Sequence, residues 1–290
     1  MRRPALGFCI ASSGSTTTCG RRRVRRGVVR FVLFFSALFI WSLVAARALV
    51  QGAASEATAA APAQNCNAVK HQTGDYVVCR FDPAASDIRL FLRDADGEPY
   101  GHFNWVNETL AEKGERLVFA MNAGMYHEDR SPVGFYRENG EDIAPANTND
   151  GPGNFHLKPN GVFYLLDDGA AGVDETGVYL MTKRMPPRYA TQSGPMLVIG
   201  GDIHPKFQPE SDSQKRRNGV GVTEAGEVIF VLSDTPVRFY DFAVFFRDEL
   251  KTPNALYLDG TISRIFAPEL GRNDPGAAMG PIVGVVVKND

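Results

Sequence analysis

The chain consists of short apolar runs that turn-forming residues interrupt. Residues 117–121 are continuously apolar, as in a strand buried on both faces, and residues 88–92 alternate between apolar and polar. Gly, Pro, Asn and Asp separate nearly all of these runs. Helical periodicity is clear only at residues 240–250, where Phe side chains recur on one face, and weaker at 104–113. This pattern favours many strands and few helices.

We therefore predict an α+β fold, a strand-rich single domain with mixed, mainly antiparallel sheets and two or three helices. The sequence contains no P-loop, and no Gly-x-Gly-x-x-Gly follows a predicted strand, so neither of these nucleotide-binding motifs is supported. Further strands are expected at 76–81, 133–137, 162–166, 178–181, 196–199, 220–223, 228–232, 255–258, 262–266 and 282–287.

The N-terminal part differs sharply in charge from the rest. Residues 1–50 contain nine Arg and no acidic residue, which leaves the remainder with 22 basic and 33 acidic residues and a formal charge of −11. Such an acidic domain is a poor candidate for nucleic-acid binding, because that binding depends on neutralising phosphates with Lys and Arg.

Four segments follow from this asymmetry. Residues 1–27 are a basic region that resembles neither a signal peptide nor a core, and a mis-assigned start is one explanation. Residues 28–48 hold a 16-residue run without charges, which predicts a signal peptide or, alternatively, an uncleaved membrane anchor. Residues 49–65 are an Ala-rich linker, and 66–290 form the domain. We expect an exported protein, periplasmic or extracellular, with anchoring to the inner membrane as the alternative.

The predicted export makes the cysteines informative. Cys66 and Cys79 are the only two cysteines after the apolar run, and an even pair in an oxidising compartment predicts a disulfide. Two unpaired buried thiols are the alternative. The count argues against a zinc site built from cysteines.

Asp259 is the principal candidate for a catalytic acid, base or nucleophile. The apolar run 255–258 delivers it into a turn that Gly260 permits, so a scaffold can aim its carboxylate at a substrate. Glu128 and Asp241 are the candidates for a second acid.

The candidates for substrate binding lie in four similar turns. Arg217 precedes a predicted strand, where its guanidinium can bind phosphate oxygens in a fork. Backbone amides at Ser193 and Gly194 can form an anion-binding nest. A serine nucleophile at Ser193 is less favoured, because the Gly-x-Ser-x-Gly frame is missing. The remaining candidates are Asn122, Gly124, Lys158 and Asn218.

Five ordered motifs resemble those of the phosphodiester glycosidase family, over roughly residues 115–288. The resemblance implies hydrolysis of a sugar-1-phosphodiester, with a site lined by Asn122, Ser193, Gly194, Arg217 and Asp259. It also points to a bacterial, exopolysaccharide-related periplasmic subgroup. The motifs are Asn122-Ala123-Gly124-Met125-Tyr126, Asn160-Gly161-Val162-Phe163, Thr191-Gln192-Ser193-Gly194-Pro195-Met196-Leu197, Arg217-Asn218-Gly219-Val220-Gly221 and Leu258-Asp259-Gly260-Thr261-Ile262-Ser263.

Three hypotheses follow from the sequence. The first is a hydrolase that frees a sugar from phosphate on an exported glycan or glycoconjugate, with Asp259 as nucleophile or base and Arg217 on the phosphodiester. The second is a non-catalytic periplasmic module that binds anionic polysaccharide during exopolysaccharide assembly, through Arg217, Asn122 and aromatic residues such as Tyr126. The third is a metal-dependent phosphodiesterase. We expect no cofactor and leave a divalent metal ion open, and we expect a carbohydrate phosphodiester as the partner.

Overall fold

A computed structural model of the chain describes residues 65–182, 185–260 and 262–289. The basic N-terminal region, the predicted signal or anchor segment and nearly all of the linker lie outside these residues. Among the helices within them, none combines the length and apolar character needed to cross a bilayer.

The described residues form seventeen strands and three α-helices. The strands are β1 (Cys66–His71), β2 (Gly74–Phe81), β3 (Asp87–Phe91), β4 (Glu115–Asn122), β5 (Tyr136–Glu138), β6 (Glu141–Ala144), β7 (Gly161–Leu165), β8 (Ala171–Glu175), β9 (Tyr189–Ser193), β10 (Met196–Ile199), β11 (Asp202–Ile203), β12 (Asn218–Val222), β13 (Val228–Ser233), β14 (Asn254–Asp259), β15 (Ile265–Ala267), β16 (Arg272–Asn273) and β17 (Ile282–Lys288). The helices are α1 (Phe103–Ala111), α2 (Thr176–Met181) and α3 (Phe239–Val244), with a π-helical segment at Phe245–Glu249 and 3₁₀ turns at Asn154–His156 and Pro268–Leu270.

The strands build three sheets. The first sheet has seven strands in the order β1-β2-β13-β12-β14-β10-β11. The second has the order β16-β15-β4-β17-β3, and the third β6-β5-β9-β7-β8. All strand pairings between the described strands are antiparallel. The predicted α+β class is therefore confirmed.

The largest hydrophobic core lies where the three sheets face one another. Phe230 of the first sheet stacks on Phe119 of the second at 5.0 Å between ring centroids, and meets Phe163 of the third edge-on at 5.8 Å. A second core packs α3 and the π-helical segment on the outer face of the first sheet. A third packs α1 on the outer face of the second sheet. The aromatic helix face predicted from the sequence is thus core.

One predicted element is wrong. Residues 178–181 were expected to form a strand, but they belong to α2. The Glu175 side chain accepts hydrogen bonds from the N–H groups of Gly177 and Val178, and so caps the N-terminus of this helix. Apolar residues in the helix stay exposed, Met181 to 79%. The apolar run therefore reflects an exposed helix face, not a buried strand.

The predicted disulfide between Cys66 and Cys79 is confirmed. The two cysteines are opposite each other in the register of β1 and β2, at a Cα–Cα distance of 4.0 Å. The backbone N–H of Cys66 also donates to Glu269, at 2.6 Å. The disulfide therefore closes the N-terminal hairpin at the edge of the first sheet.

Candidate active site

Strand ends from all three sheets meet at one place. Asn122 ends β4 of the second sheet, Ser193 ends β9 of the third, and Asp259 ends β14 of the first. Asn218 begins β12 and is paired with Asp259 in the register of the first sheet. Because these residues terminate strands, their side chains lie at the rim of the core, where a rigid scaffold meets the surface.

A buried amide pair joins the first and second sheets at this rim. Asn218 Nδ2 donates to the Asn122 carbonyl at 2.7 Å and to its Oδ1 at 3.2 Å. Ser263 Oγ donates to Asn218 Oδ1 at 3.2 Å, and the Arg264 N–H donates to Asn122 Oδ1 at 3.1 Å. Both amides are buried and satisfied, so they fix the spacing between the sheets beside Asp259.

The Asp259 carboxyl lies half-buried next to this pair. Burial raises its pKa to about 6, because the charged form loses solvation. Hydrogen bonding from the Gly260 N–H, at 2.6 Å, and from the Asn122 amide lowers the pKa and opposes that effect. The result is a carboxyl whose charge changes close to neutral pH, which suits a proton-transfer role.

Asp259 lies in the wall of a cavity of about 410 Å³. His127 and Tyr126 from the turn after β4 contribute to its lining, as do Phe155 and His156 from the 3₁₀ turn. The cavity thus combines aromatic rings with a few polar groups, the usual make-up of a small-molecule binding site.

The wall formed by the 3₁₀ turn is held by Gln192 and Asn160. Gln192 Oε1 accepts from the N–H groups of Phe135 and Asn147, at 2.8 and 2.9 Å, and its Nε2 donates to the Asn147 carbonyl at 2.8 Å. Asn160 Nδ2 donates to the Phe155 carbonyl at 3.1 Å. The two buried amides therefore position the cavity wall from behind.

Ser193 and Gly194 also lie behind the cavity. Ser193 Oγ donates to the Leu258 carbonyl at 3.0 Å, which ties β9 to the residue before Asp259. A Cβ atom at Gly194 would lie 2.7 Å from the Cβ of Asn160, so only glycine fits this contact. The anion-binding nest predicted at these residues stays a prediction.

Arg217 is 1% exposed and is paired with the protein itself. Its Nε donates to the Val237 carbonyl at 2.9 Å and its Nη2 to the Ser213 carbonyl at 3.0 Å. Its guanidinium carbon lies 3.6 Å from the Phe239 ring centroid and 5.6 Å from that of Tyr257. Burial lowers the pKa of Arg217. In this structure the guanidinium packs near the Tyr257 ring. The predicted contact between Arg217 and a phosphate stays a prediction.

The remaining predicted site residues are Lys158, Asp241, Glu128 and Gly124. Lys158 Nζ forms an ion pair with Asp150 at 2.8 Å and donates to the Thr148 carbonyl. Asp241 lies in the first turn of α3 and pairs with Arg238 at 3.3 Å. Glu128 is exposed beside His127, and Gly124 is buried against the Thr191 hydroxyl. None of these described residues lines the cavity that contains Asp259.

Several residues of the site were not predicted from the sequence. His127 and His156 line the cavity and Gln192 anchors its wall, but none of the three was a predicted site residue. Tyr126 and Gln192 lie inside the quoted motifs, which was the available signal. His127 and His156 lie outside these motifs. Both are loop residues, and the sequence does not show which cavity a loop approaches.

No group of three or more His, Cys, Asp or Glu side chains within residues 65–182, 185–260 and 262–289 is arranged to hold a metal ion. Of these four residue types, the Asp259 cavity contains one carboxyl, that of Asp259, and the imidazoles of His127 and His156.

Comparison with known proteins identifies the family. The sequence model of the phosphodiester glycosidase family matches residues 115–286. The chain therefore belongs to the phosphodiester glycosidase family, and is a glycosidase-type hydrolase whose family implies a carbohydrate substrate. An uncharacterised protein of Escherichia coli (strain K12), YigE, is 36% identical over 185 residues, which cover 64% of this chain and 71% of YigE.

One solved structure supports the fold. The catalytic domain of zebrafish N-acetylglucosamine-1-phosphodiester alpha-N-acetylglucosaminidase, auto-inhibited by its pro-peptide, is 15% identical with a TM-score of 0.53, and the match covers 76% of this chain and 81% of that domain. A hypothetical protein from Synechocystis is 13% identical with a TM-score of 0.47, over 77% of this chain and 61% of that protein.

Proposed function

We propose that the protein hydrolyses a sugar-1-phosphodiester and frees the sugar from the phosphate, with Asp259 as the catalytic carboxyl. The observation that carries this proposal is the Asp259 carboxyl itself. It lies in the wall of a cavity, it is held by the Gly260 N–H and the Asn122 amide, and its pKa is about 6. A base with that pKa is ionised at neutral pH and still strong enough to take a proton.

The reaction breaks the bond between the anomeric carbon and the phosphate oxygen, and the phosphate leaves with the electron pair. Asp259 either takes the proton from a water molecule that attacks the anomeric carbon or attacks that carbon itself. A phosphate is a good leaving group and needs little protonation, so one carboxyl suffices where ordinary glycosidases use two. The anomeric configuration of the first product separates the two routes.

The imidazoles in the cavity wall supply substrate contacts. His156 Nδ1 lies 3.1 Å from the Asn149 carbonyl, which only accepts, so Nδ1 carries the proton. In the neutral ring, Nε2 is therefore an acceptor, suited to a sugar hydroxyl. When protonated, the ring instead donates to a phosphate oxygen.

We further propose that the enzyme acts on an exported glycan or glycoconjugate, outside the cytoplasm. The predicted signal or anchor segment at 28–48 supports this location, and so does the Cys66–Cys79 disulfide, because disulfides persist in oxidising compartments.

The test is turnover of a panel of alkyl glycosyl-1-phosphodiesters by the purified protein. We expect wild type to release free sugar and phosphate monoester, and Asp259→Asn to bind without release. Saturable binding by wild type with no free sugar from any member of the panel would instead identify a polysaccharide-binding module.

A further inference from the structure

A second cavity, of about 270 Å³, has Arg264 in its wall. Arg264 follows Ser263 directly, and its N–H donates to Asn122 Oδ1 at the active-site rim. Its side chain lies within electrostatic range of Tyr126, which lines the Asp259 cavity. The second cavity is lined by His102, Phe103, Asn104, Arg264, Asn273 and Asp274, among others.

Arg264 is a buried cation with unused hydrogen-bonding capacity. The residue is 6% exposed, and its Nη2 donates to the Ala277 carbonyl. Its Nε is buried and has no hydrogen-bond partner among the described residues. A buried donor without a partner is destabilising, and more so when it is charged. The guanidinium in the wall of this cavity therefore keeps hydrogen-bonding capacity that the protein does not use.

The same cavity faces the N-terminus of α1. This nine-residue helix begins after His102, and within the described structure no side chain caps it and no acidic residue lies in its first turn. The first N–H groups of a helix lack intrahelical acceptors and carry a partial positive charge. An oxyanion is the ligand that satisfies such a helix terminus.

Two further features fit an oxyanion. The Asn273 amide donates to Asn104 Oδ1 at 3.0 Å, which orients an amide pair at the cavity. Gly276 has a φ of +158°, and a Cβ atom there would lie 2.9 Å from Arg264 Nη1, so glycine keeps room around the guanidinium.

The cavity also contains one carboxylate, Asp274, but that charge is already paired. Arg272 Nη2 donates to it at 2.6 Å, and Arg216 Nη2 lies 3.7 Å away. Burial lowers the pKa of Arg264, as expected for a cation that Asp274 does not fully compensate.

We propose that this cavity, between Arg264 and the N-terminus of α1, is a phosphate-binding subsite next to the catalytic cavity. The phosphate is either a second phosphate of the glycan substrate or free inorganic phosphate. That a glycan substrate supplies the phosphate rests on the proposed function, whereas the existence of the phosphate site does not.

The first test uses inorganic phosphate and the backbone amide NMR signals of Phe103 to Trp105 in the full-length protein. We expect these signals to shift saturably in wild type. Asn104→Asp places an acid in the first turn of α1, which favours the helix but repels an anion, so binding should weaken at least about tenfold in a fully folded variant. Arg264→Gln should weaken it similarly.

The matched control is Asn139→Asp, the same change at an exposed turn. It should leave phosphate binding unchanged. Absence of a saturable shift in wild type, or equal binding in wild type and Asn104→Asp, would overturn the subsite. Asp259→Asn should keep phosphate binding at this cavity while its turnover falls sharply, so a failure of the subsite and a failure of the proposed function can be told apart.

The second test identifies the source of the phosphate. It compares kcat/KM for a glycosyl phosphodiester that carries a second phosphate with kcat/KM for the same compound without it. A preference that is lost in Asn104→Asp assigns the subsite to the substrate. If Asn104→Asp loses phosphate binding but the ratio of the two kcat/KM values stays as in wild type, the subsite binds free phosphate.

Discussion

The side-chain amides of Asn122 and Asn218 face each other across the junction of two sheets, 96 residues apart in the chain, with Asn218 Nδ2 on both oxygens of Asn122. This pair fixes the end of β4 against the start of β12. Asp259 lies opposite Asn218 in the pairing of β12 with β14. The amide pair therefore fixes the position of the Asp259 carboxyl. The geometry of the proposed catalytic site therefore depends on the packing of the sheets as well as on the local turn.

Replacing Asp259 with Asn separates activity from stability. We expect turnover to fall by about 10²–10⁴-fold, the contribution of a general acid or base. Stability should change in the opposite direction. The raised pKa of Asp259 favours folding below about pH 4, and this contribution is lost as pH rises through 6.

Asp259→Asn should therefore be more stable than wild type by up to about 3 kcal/mol at pH 8, and no more stable at pH 3.5. Urea unfolding at both pH values measures the difference. A variant less stable than wild type at pH 8 would contradict a carboxyl held at a cost in the folded state.

The pH profile of wild type should show an acid limb. Asp259 has to be ionised to act as base or nucleophile, so kcat/KM should fall about tenfold for each pH unit below about 6. Initial rates between pH 4 and 8 measure this limb. A flat profile over that range would remove Asp259 from the proton-transfer step.

Asn122→Asp should shift that limb upward. A second carboxylate beside Asp259 disfavours its ionised form and replaces the amide that favours it. We expect the acid limb of kcat/KM to lie above pH 6, by roughly one unit or more. Asn67→Asp is the control, since Asn67 is exposed on β1 and should leave the limb in place. An identical limb in both variants would contradict the contact between Asn122 and Asp259.

Gln192→Leu should loosen the cavity wall. It leaves the N–H groups of Phe135 and Asn147 without their acceptor, at a cost of about 3 kcal/mol. We expect faster hydrogen exchange at 147–157 and a higher KM. Gln208→Leu, at an exposed position, is the control. Unchanged exchange at 147–157 would show that Gln192 does not hold this wall.

Removal of the disulfide should affect stability more than catalysis. The disulfide closes a loop with a sequence separation of 13. The double variant Cys66→Ser/Cys79→Ser should therefore have a free energy of unfolding lower by about 3 kcal/mol. Denaturant midpoints with and without reductant give the comparison. If reduction leaves the wild-type midpoint unchanged, the disulfide does not stabilise the domain.

Much of the fold could be predicted, because strand periodicity is local. Residues 117–121 and 255–258 lie in β4 and β14, and the helix expected at 104–113 is α1. The prediction failed at 178–181, where a cap from Glu175 starts a helix that apolar content alone does not reveal. The site was predicted less completely, since a motif marks a residue but not the direction of its side chain.

Arg217 illustrates how the direction of a side chain depends on the fold. It directly precedes Asn218, but it points toward Phe239 on the outer face of the first sheet, whereas Asn218 points to the rim of the core. Alternation along a strand separates neighbours in this way, and the sequence does not say which face holds the cavity. His127 and His156 were brought to the cavity by two loops with no local sign of their meeting.

The sequence by itself determined the strand-rich class, the family motifs, the paired cysteines and the acid at the end of a strand. These features follow from local backbone preference and from covalent chemistry, which neighbouring residues decide. Only the tertiary structure decided which polar side chains share a cavity, which amides support it from behind, and that Arg264 and the start of α1 enclose a second one. Those relationships depend on how three sheets pack, and packing joins residues far apart in the chain.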